Sequence, residues 1–150
     1  MKPYGDGKPI NYDPALRELW KNIALQFQWF NEYPMLFDKD DLILAMSQSK
    51  NHFFEWLGAI QIYKDLGYMC LVEKYQFKKH ASQQEIFMSI IPKDIFDLIK
   101  SDNFEGRQAP DLFAYSQDKS DWFFCEVKGE TDSVHKGQEK AFEKLERASC

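Results

Sequence analysis

The stretch that decides the fold is residues 111–128, which read DLFAYSQDKSDWFFCEVK. Its two ends, 111–115 and 122–128, are rich in the aromatic and apolar residues that favour β-strands. The segment 116–121 between them is polar and typical of a turn. The sequence therefore predicts an antiparallel β-hairpin.

This hairpin is expected to bring charged side chains together at one end. If Tyr115 pairs with Trp122 across the turn, Asp111 lies opposite Glu126, and directly opposed residues have Cβ atoms about 5 Å apart. Strand alternation also puts Glu126 and Lys128 on the same face. Two carboxylates and an ammonium group should thus converge beside an apolar strand.

A divalent cation would explain why these charges lie there. Burying an unpaired carboxylate is costly, so a half-buried acid needs a partner or a cation. Asp111 and Glu126 would also repel each other. Hard oxygen ligands suit Mg²⁺ or Mn²⁺. The alternative is a strand-end pair satisfied by backbone donors or by Lys128, and the residues alone leave it open.

A long amphipathic helix is predicted near the N-terminus, after an extended arm. Asp13 can cap this helix, and Pro14 suits its first position because no needed donor is lost. Apolar residues then recur at helical spacing up to Phe30, and the step Tyr33-Pro34 ends the helix. We interpret the aromatic residues of this region as core or subunit interface rather than as a platform for bases. They are Trp20, Phe27, Trp29, Phe30, Tyr33 and Phe37.

A second helix and a strand are predicted upstream of the hairpin. The helix runs from near Ser49, which can cap, to just before Gly67, which suits a left-handed cap. Residues 68–77 are then predicted to form a strand that contains Val72, Tyr75 and Phe77.

The remaining segments are predicted less uniformly. Ser82 opens a run that fits a capping box, yet 85–91 could equally be a strand, and we leave this segment undecided. Helices are predicted for 92–99 and 136–148, with a loop at 103–109 between them.

Four pieces of the sequence resemble a known superfamily. Residues 106–112 (GRQAPDL), residues 126–129 (EVKG) and Gln138 together resemble the PD-(D/E)XK nucleases, and within them most of all the VRR-NUC group. Glu55, inside the second predicted helix, matches the helix glutamate of that family. The resemblance covers roughly residues 51–147.

This resemblance implies an α/β fold of the restriction-endonuclease-like type, in which helices flank a mixed central sheet. We expect this nuclease-like core in residues 49–150 and an N-terminal arm with an aromatic helical extension in residues 1–48. The family core has a further strand after its last helix. Because the sequence stops at Cys150, either the chain is truncated or another segment or subunit completes the sheet.

The resemblance also implies an activity, which is Mg²⁺- or Mn²⁺-dependent hydrolysis of DNA phosphodiester bonds. The implied role is that of a structure-specific endonuclease in DNA repair, recombination or phage and mobile-element DNA processing. The implied catalytic residues are Glu55, Asp111, Glu126, Lys128 and Gln138. The implied metal ligands are Asp111, Glu126, the Val127 carbonyl and Glu55. Lys128 would be the catalytic cation, and Gln138 would support the site or the nucleic acid.

Composition narrows the classes of protein to be considered. The net charge of −5 argues against a protein that coats nucleic acid non-specifically, so DNA contacts must come from local basic patches. The candidate patches are Lys74, Lys78, Lys79 and His80, and Lys136, Lys140, Lys144 and Arg147. The three cysteines form no C-x-x-C pair and the three histidines no H-x-x-x-H pair, so a zinc site is unsupported.

Expectations about partners and location follow from the same composition. No apolar run approaches the roughly 20 residues of a membrane helix, so we expect a soluble cytoplasmic protein, in the host cell if it is phage-encoded. A homodimer is expected on the premise that the aromatic extension is exposed. The alternative function is a catalytically inactive nuclease-fold module that binds nucleic acid or protein.

Overall fold

The computed structural model describes residues 11–73, 75, 80–100 and 111–127. They form a mixed fold of helices and a small antiparallel sheet. The helices are α1 (Pro14–Lys21), α2 (Leu25–Glu32), α3 (Lys39–Ser47), α4 (Phe53–Leu66), α5 (Ala81–Ile90) and α6 (Lys93–Lys100), and the strands are β1 (Met69–Val72), β2 (Leu112–Tyr115) and β3 (Trp122–Cys125). Among these helices, none combines the length and the apolar character needed to cross a membrane.

The sheet has the order β1-β2-β3, and its strands pair antiparallel. Tyr115 pairs with Trp122, so the hairpin register predicted from the sequence is confirmed. Met69 pairs with Tyr115 on the other side of β2. The mixed sheet expected from the resemblance is not seen among the described strands, which are antiparallel throughout.

Helices cover both faces of this sheet. Alternate residues of β2 belong to different hydrophobic clusters, because Leu112 and Ala114 pack with the first four helices and Phe113 packs with α5 and α6. The first cluster also holds the largest buried side chains of the N-terminal part. These are Trp20, Trp29, Phe37, Phe53 and Trp56. The second cluster is centred on Tyr75, Phe87, Phe113 and Phe124.

The prediction of one long N-terminal helix was wrong, because two helices occupy its place. Asp13 does cap α1 and Pro14 does open it, as predicted. The break lies at Ile23, whose φ is 61°. The Ala24 N–H donates to the Leu19 carbonyl and the Ile23 N–H to the Trp20 carbonyl, both at 3.0 Å. This is the hydrogen-bond pattern of a left-handed helix end, formed here by a β-branched residue, which is why the sequence does not signal it.

Helix α3 was not predicted from the sequence, although a capping box marks its start. Asp38 and Asp41 form a reciprocal capping box at its start. Asp41 is buried and also accepts a hydrogen bond from the Gln83 side chain of α5. Burial and the neighbouring Asp38 raise the pKa of Asp41 to about 8. The capping residue Asp41 therefore links α3 to α5 through a side-chain hydrogen bond.

Helix α4 begins later than predicted and ends as predicted. Ser49 lies in the turn after α3, and the helix starts after His52, which has a φ of 74°. The turn is needed because α3 has ended only at Ser47. Gly67 caps the C-terminus with a φ of 73°, which confirms the left-handed cap.

The other predictions for the middle of the chain are mostly confirmed. The strand predicted over 68–77 is shorter in the structure and spans Met69–Val72, because Glu73 has a φ of 47° and ends it. The undecided segment is helix α5, and His80 rather than Ser82 stands at its N-cap, so the proposed capping box is not formed. Ser82 donates instead to Asp38 at 3.2 Å. The helix predicted for 92–99 is α6.

The aromatic extension is part of the core and not an exposed patch. Trp20 is 1% exposed and Trp29 is 6% exposed, whereas Phe27 is 47% exposed. The interpretation of these aromatics as core is therefore confirmed for both tryptophans. The premise of the homodimer prediction is wrong for them, because they are covered within the chain, and the homodimer itself stays a prediction.

Candidate metal centre

Helix α4 carries the first acid of the candidate site. Glu55 lies in the first turn of this helix and is half-buried. The helix is apolar on the sides that pack into the first hydrophobic cluster, and its start is fixed by His52. Glu55 is thus held near the end of the helix by residues that are themselves buried.

Asp111 and Glu126 meet at the end of the hairpin, one position beyond the paired strands. The Asp111 N–H donates to Glu126 Oε2 at 3.3 Å, and the Val127 N–H donates to Asp111 Oδ2 at 3.1 Å. Backbone N–H groups therefore donate hydrogen bonds to both acids. This agrees with the alternative interpretation, in which Asp111 and Glu126 form a structural pair at the strand ends. These hydrogen bonds do not remove the repulsion, since burial, Glu126 and Glu55 raise the pKa of Asp111 to about 9.

Burial and two neighbouring acids raise the pKa of Glu55. Its pKa is raised by burial first, then by the charge of Glu73, and also by the charge of Glu126. The charge of Glu55 in turn raises the pKa of Asp111. The structure therefore brings the three predicted acids into one electrostatic cluster and adds a fourth acid, Glu73.

Glu73 and His52 are residues of this cluster that the sequence reading missed. The Glu73 N–H donates to the Asp111 carbonyl at 2.8 Å, which extends the β1–β2 pairing by one position. Glu73, Asp111 and Glu126 therefore follow one another across the ends of three adjacent strands. His52 Nδ1 lies 2.5 Å from Glu73 Oε2, and His52 Nε2 lies 2.9 Å from Gln48 Oε1.

A signal for Glu73 existed in the sequence. It follows the apolar residues of β1 just as Glu126 follows those of β3. An acid directly after an apolar strand is the pattern that identified Glu126. The position of Glu73 next to Asp111 could not be predicted, because no short turn fixes the register between β1 and β2.

The chemistry of these side chains fits a divalent cation. In the part of the chain that the structure describes, four carboxylates and one buried imidazole lie at this end of the sheet. Within the described residues, one ligand atom each from His52, Glu55 and Glu73 lies within 4.8 Å of the others. Glu73 Oε2 is buried, and the His52 ring nitrogen reaches it at 2.5 Å; a buried carboxylate oxygen is costly unless a donor or a cation reaches it. Asp111 and Glu126 form a contiguous pair beside this trio.

Two further predicted site residues, Lys128 and Gln138, lie outside the described residues. The same holds for the 106–110 segment and for the basic patches, apart from His80. Val127 lies within the described residues. Its side chain packs into the first hydrophobic cluster, and it follows Glu126 directly in the chain.

A glycine sets the distance between α4 and the hairpin end. A Cβ at Gly58 would lie 3.2 Å from Val127 Cγ2 and 3.4 Å from Leu112 Cδ1. Ordinary helical residues other than glycine would therefore press on Val127, the neighbour of Glu126.

We therefore expect Gly58→Ala to weaken metal binding at the candidate site more than it changes the free energy of unfolding. Alanine gains about 1 kcal/mol of helix propensity, which offsets the crowding in the free energy of unfolding. The displaced hairpin end should weaken Mn²⁺ binding about tenfold, since shifts of well under 1 Å matter at such sites. Calorimetric titration measures this loss. Adding Val127→Ala makes room for the new methyl group and should restore binding; undiminished binding by Gly58→Ala alone would refute the argument.

Comparison of the chain with known protein families, with characterised proteins and with solved structures finds no match.

Proposed function

We propose that this chain is a metal-dependent nuclease of the PD-(D/E)XK type that hydrolyses DNA phosphodiester bonds. In this proposal α4, β1, β2 and β3 are the beginning of a restriction-endonuclease-like core. The observation that carries the proposal is the convergence of Asp111, Glu126 and Glu55 from a strand start, a strand end and a helix. These are the elements on which the resemblance expects the family's acids.

Asp111 and Glu126 would hold the ion, with Glu55 as a further ligand and the Val127 carbonyl as a third oxygen from the hairpin. When bound, a divalent ion neutralises phosphate charge and acidifies a coordinated water. The Val127 N–H keeps Asp111 oriented through its 3.1 Å hydrogen bond. Lys128 is proposed to stabilise the charge that develops on the phosphate.

The clustering of the acids is also the reason why we expect this end of the sheet to need a cation before it meets DNA. Glu55, Glu73, Asp111 and Glu126 are all acidic, and the described part of the site offers only His52 against them. The phosphate backbone is anionic, so it is repelled by this face without metal. Substrate binding and metal binding are therefore expected to be coupled.

The experiment that tests the proposed function is a cleavage assay on branched, flapped and single-stranded DNA. The full chain is incubated with each DNA and Mg²⁺ or Mn²⁺, and in parallel with EDTA. We expect shortened DNA with either metal and intact DNA with EDTA. Glu18→Gln, an exposed acid on α1 whose side chain is 69% exposed, serves as the matched control. Intact DNA under all metal conditions would favour the inactive nuclease-fold module.

Metal binding is expected to strengthen as the pH rises. Burial and the neighbouring Glu126 and Glu55 raise the pKa of Asp111, so we expect the pair of Asp111 and Glu126 to hold a proton at neutral pH in the metal-free protein. A ligand must lose its proton to bind the ion, so binding releases that proton. The affinity for Mn²⁺ should rise about tenfold per pH unit between pH 6 and pH 8.

Calorimetry in two buffers of different ionisation enthalpy measures the released proton. Asp111→Asn is the control, since it cannot release one, and its residual Mn²⁺ affinity should be nearly independent of pH in this range. A wild-type affinity that is equally flat would contradict the expectation.

A further inference from the structure

Arg17 of α1 lies over two aromatic rings at the start of α4. Its guanidinium carbon Cζ is 4.5 Å from the ring centroid of Phe54 and 5.3 Å from that of Phe53. One turn further along α1, the Trp20 indole N–H donates to the Asn51 carbonyl at 2.9 Å, which attaches this helix to the turn before α4. The cation–π contacts and the attachment of α1 together hold the guanidinium in a defined place.

The positive charge of Arg17 has no anionic partner in the part of the chain that the structure describes. Arg17 is the single arginine within residues 11–73, 75, 80–100 and 111–127, and it is half-buried. Among these residues the guanidinium forms neither an ion pair nor a hydrogen bond. Stacking on a ring uses the face of the planar guanidinium and leaves the N–H groups at its edge for an anion.

Phe54 places this guanidinium at the same end of the sheet as the candidate metal centre. Phe54 precedes Gly58 by one helical turn, so the two residues lie on one face of α4. Val127, at the hairpin end, lies directly against Gly58. Glu55, one of the clustered acids, follows Phe54 directly in the helix. Arg17 therefore puts a positive charge beside the acids without pairing with them.

We propose that Arg17 binds a backbone phosphate of DNA next to the phosphodiester bond that the metal centre cleaves. This inference rests on the proposed function, which supplies the DNA and the bond. The fork of N–H groups on arginine matches two oxygens of one phosphate, and phosphate contacts position a strand without reading its sequence. Arg17 is thus a positioning residue, and it gives α1 a part in substrate binding although α1 lies outside the residues that carry the family resemblance.

The test compares two substitutions of Arg17 with a matched control. Arg17→Met removes the charge and keeps an unbranched side chain that packs well on aromatic rings. Arg17→Lys keeps the charge and loses the planar fork. Lys64→Ala is the control, because Lys64 is an exposed cation in the last turn of α4, about 15 Å along the helix from Phe54.

Fluorescence anisotropy measures the binding of a labelled phosphorothioate duplex, which keeps the backbone charge and resists cleavage. The titrations are made with Mn²⁺ at a series of NaCl concentrations. We expect Arg17→Met to weaken binding about tenfold, as the loss of one charged hydrogen-bond pair would. The slope of log K against log[NaCl] should become shallower by about 0.9, because one phosphate contact fewer releases fewer counterions.

The two other variants and the cleavage kinetics complete the expected pattern. Arg17→Lys should keep the salt slope of wild type and bind with intermediate affinity, and Lys64→Ala should match wild type in both. With unmodified DNA, Arg17→Met should raise KM and leave kcat nearly unchanged. Partial unfolding of a variant lowers the amount of active protein and leaves the salt slope as it was, so the slope decides even for a less stable variant.

The outcomes separate this inference from the proposed function. If wild type binds and cleaves DNA and Arg17→Met shows the same affinity and salt slope, the phosphate contact is overturned and the nuclease is kept, with Arg17 as a packing residue only. Binding that depends on Arg17 without any cleavage would keep the contact and overturn the nuclease in favour of a DNA-binding module. No binding of DNA by wild type would overturn both.

Discussion

Asp111→Asn is expected to lower the rate of metal-dependent DNA cleavage about a thousandfold, which corresponds to about 4 kcal/mol of transition-state stabilisation. Asparagine has nearly the shape of aspartate and can still accept the hydrogen bond from the Val127 N–H. It lacks the charge that would hold the ion in the proposed site. Glu126→Gln should lower the rate by as much, because both acids belong to the proposed site and are in contact at the hairpin end.

The same substitution is expected to stabilise the metal-free protein at pH 8. Burial and the neighbouring Glu126 and Glu55 raise the pKa of Asp111 from its ordinary value of 3.8 to about 9 in the folded chain, so the folded chain binds an extra proton between these values. Stability then falls as the pH rises through this window, because the carboxyl group ionises in the unfolded chain while the buried one keeps its proton. Asparagine removes this dependence, and urea unfolding at pH 5 and pH 8 measures it.

The combination of lost activity and retained or increased stability distinguishes a metal centre from a structural pair. If the acids only stabilised the fold, Asp111→Asn would lower the melting temperature of the metal-free chain and the activity would follow the loss of folded protein. Undiminished cleavage by a well-folded Asp111→Asn or Glu126→Gln variant would refute the site. Glu18→Gln should match wild type in both assays.

Trp20→Ala is expected to cost about 4 kcal/mol of folding free energy. The indole is 1% exposed, and its ring centroid lies 5.3 Å from that of Trp56 and 5.8 Å from that of Phe53. Its N–H donates to the Asn51 carbonyl at 2.9 Å. The substitution would leave both a cavity and a carbonyl without its donor. Since small proteins are stable by about 5–15 kcal/mol, urea denaturation should show a large shift in midpoint.

The control for this prediction is Phe27→Ala, because Phe27 is 47% exposed in the same region of the chain. It should cost less than about 1 kcal/mol. If residues 1–48 were an extension that folds apart from the rest, Trp20→Ala would leave the unfolding of α4 and the sheet unchanged. A single transition shifted as a whole is the expected result, and two separate transitions would contradict it.

Local signals explain what the sequence could predict. The β2–β3 register depends on a short polar turn, so Tyr115 and Trp122 could be paired correctly, and with them Asp111 and Glu126. Asp13-Pro14 and Gly67 mark helix ends through their own backbone chemistry. Each of these features depends on residues that are close together in the chain.

The features that could not be predicted depend on distant residues or on strained ones. Glu73 meets Asp111 only because β1 pairs with β2 across a long connection, and no turn fixes that register in the sequence. His52 joins the cluster because α4 starts after it rather than near Ser49. The break at Ile23 uses a positive φ that a β-branched residue rarely adopts.

The most direct test of the metal centre is the melting temperature of wild type and Asp111→Asn with and without Mn²⁺. An ion that binds only the native state, at about a hundred times its Kd, stabilises it by about 2.7 kcal/mol. For a chain of 150 residues this is a rise of about 5–10 °C. We expect that rise in wild type and in Glu18→Gln, and less than half of it in Asp111→Asn. An equal rise in wild type and Asp111→Asn, or no rise in either, would contradict the assignment of these acids to a metal centre.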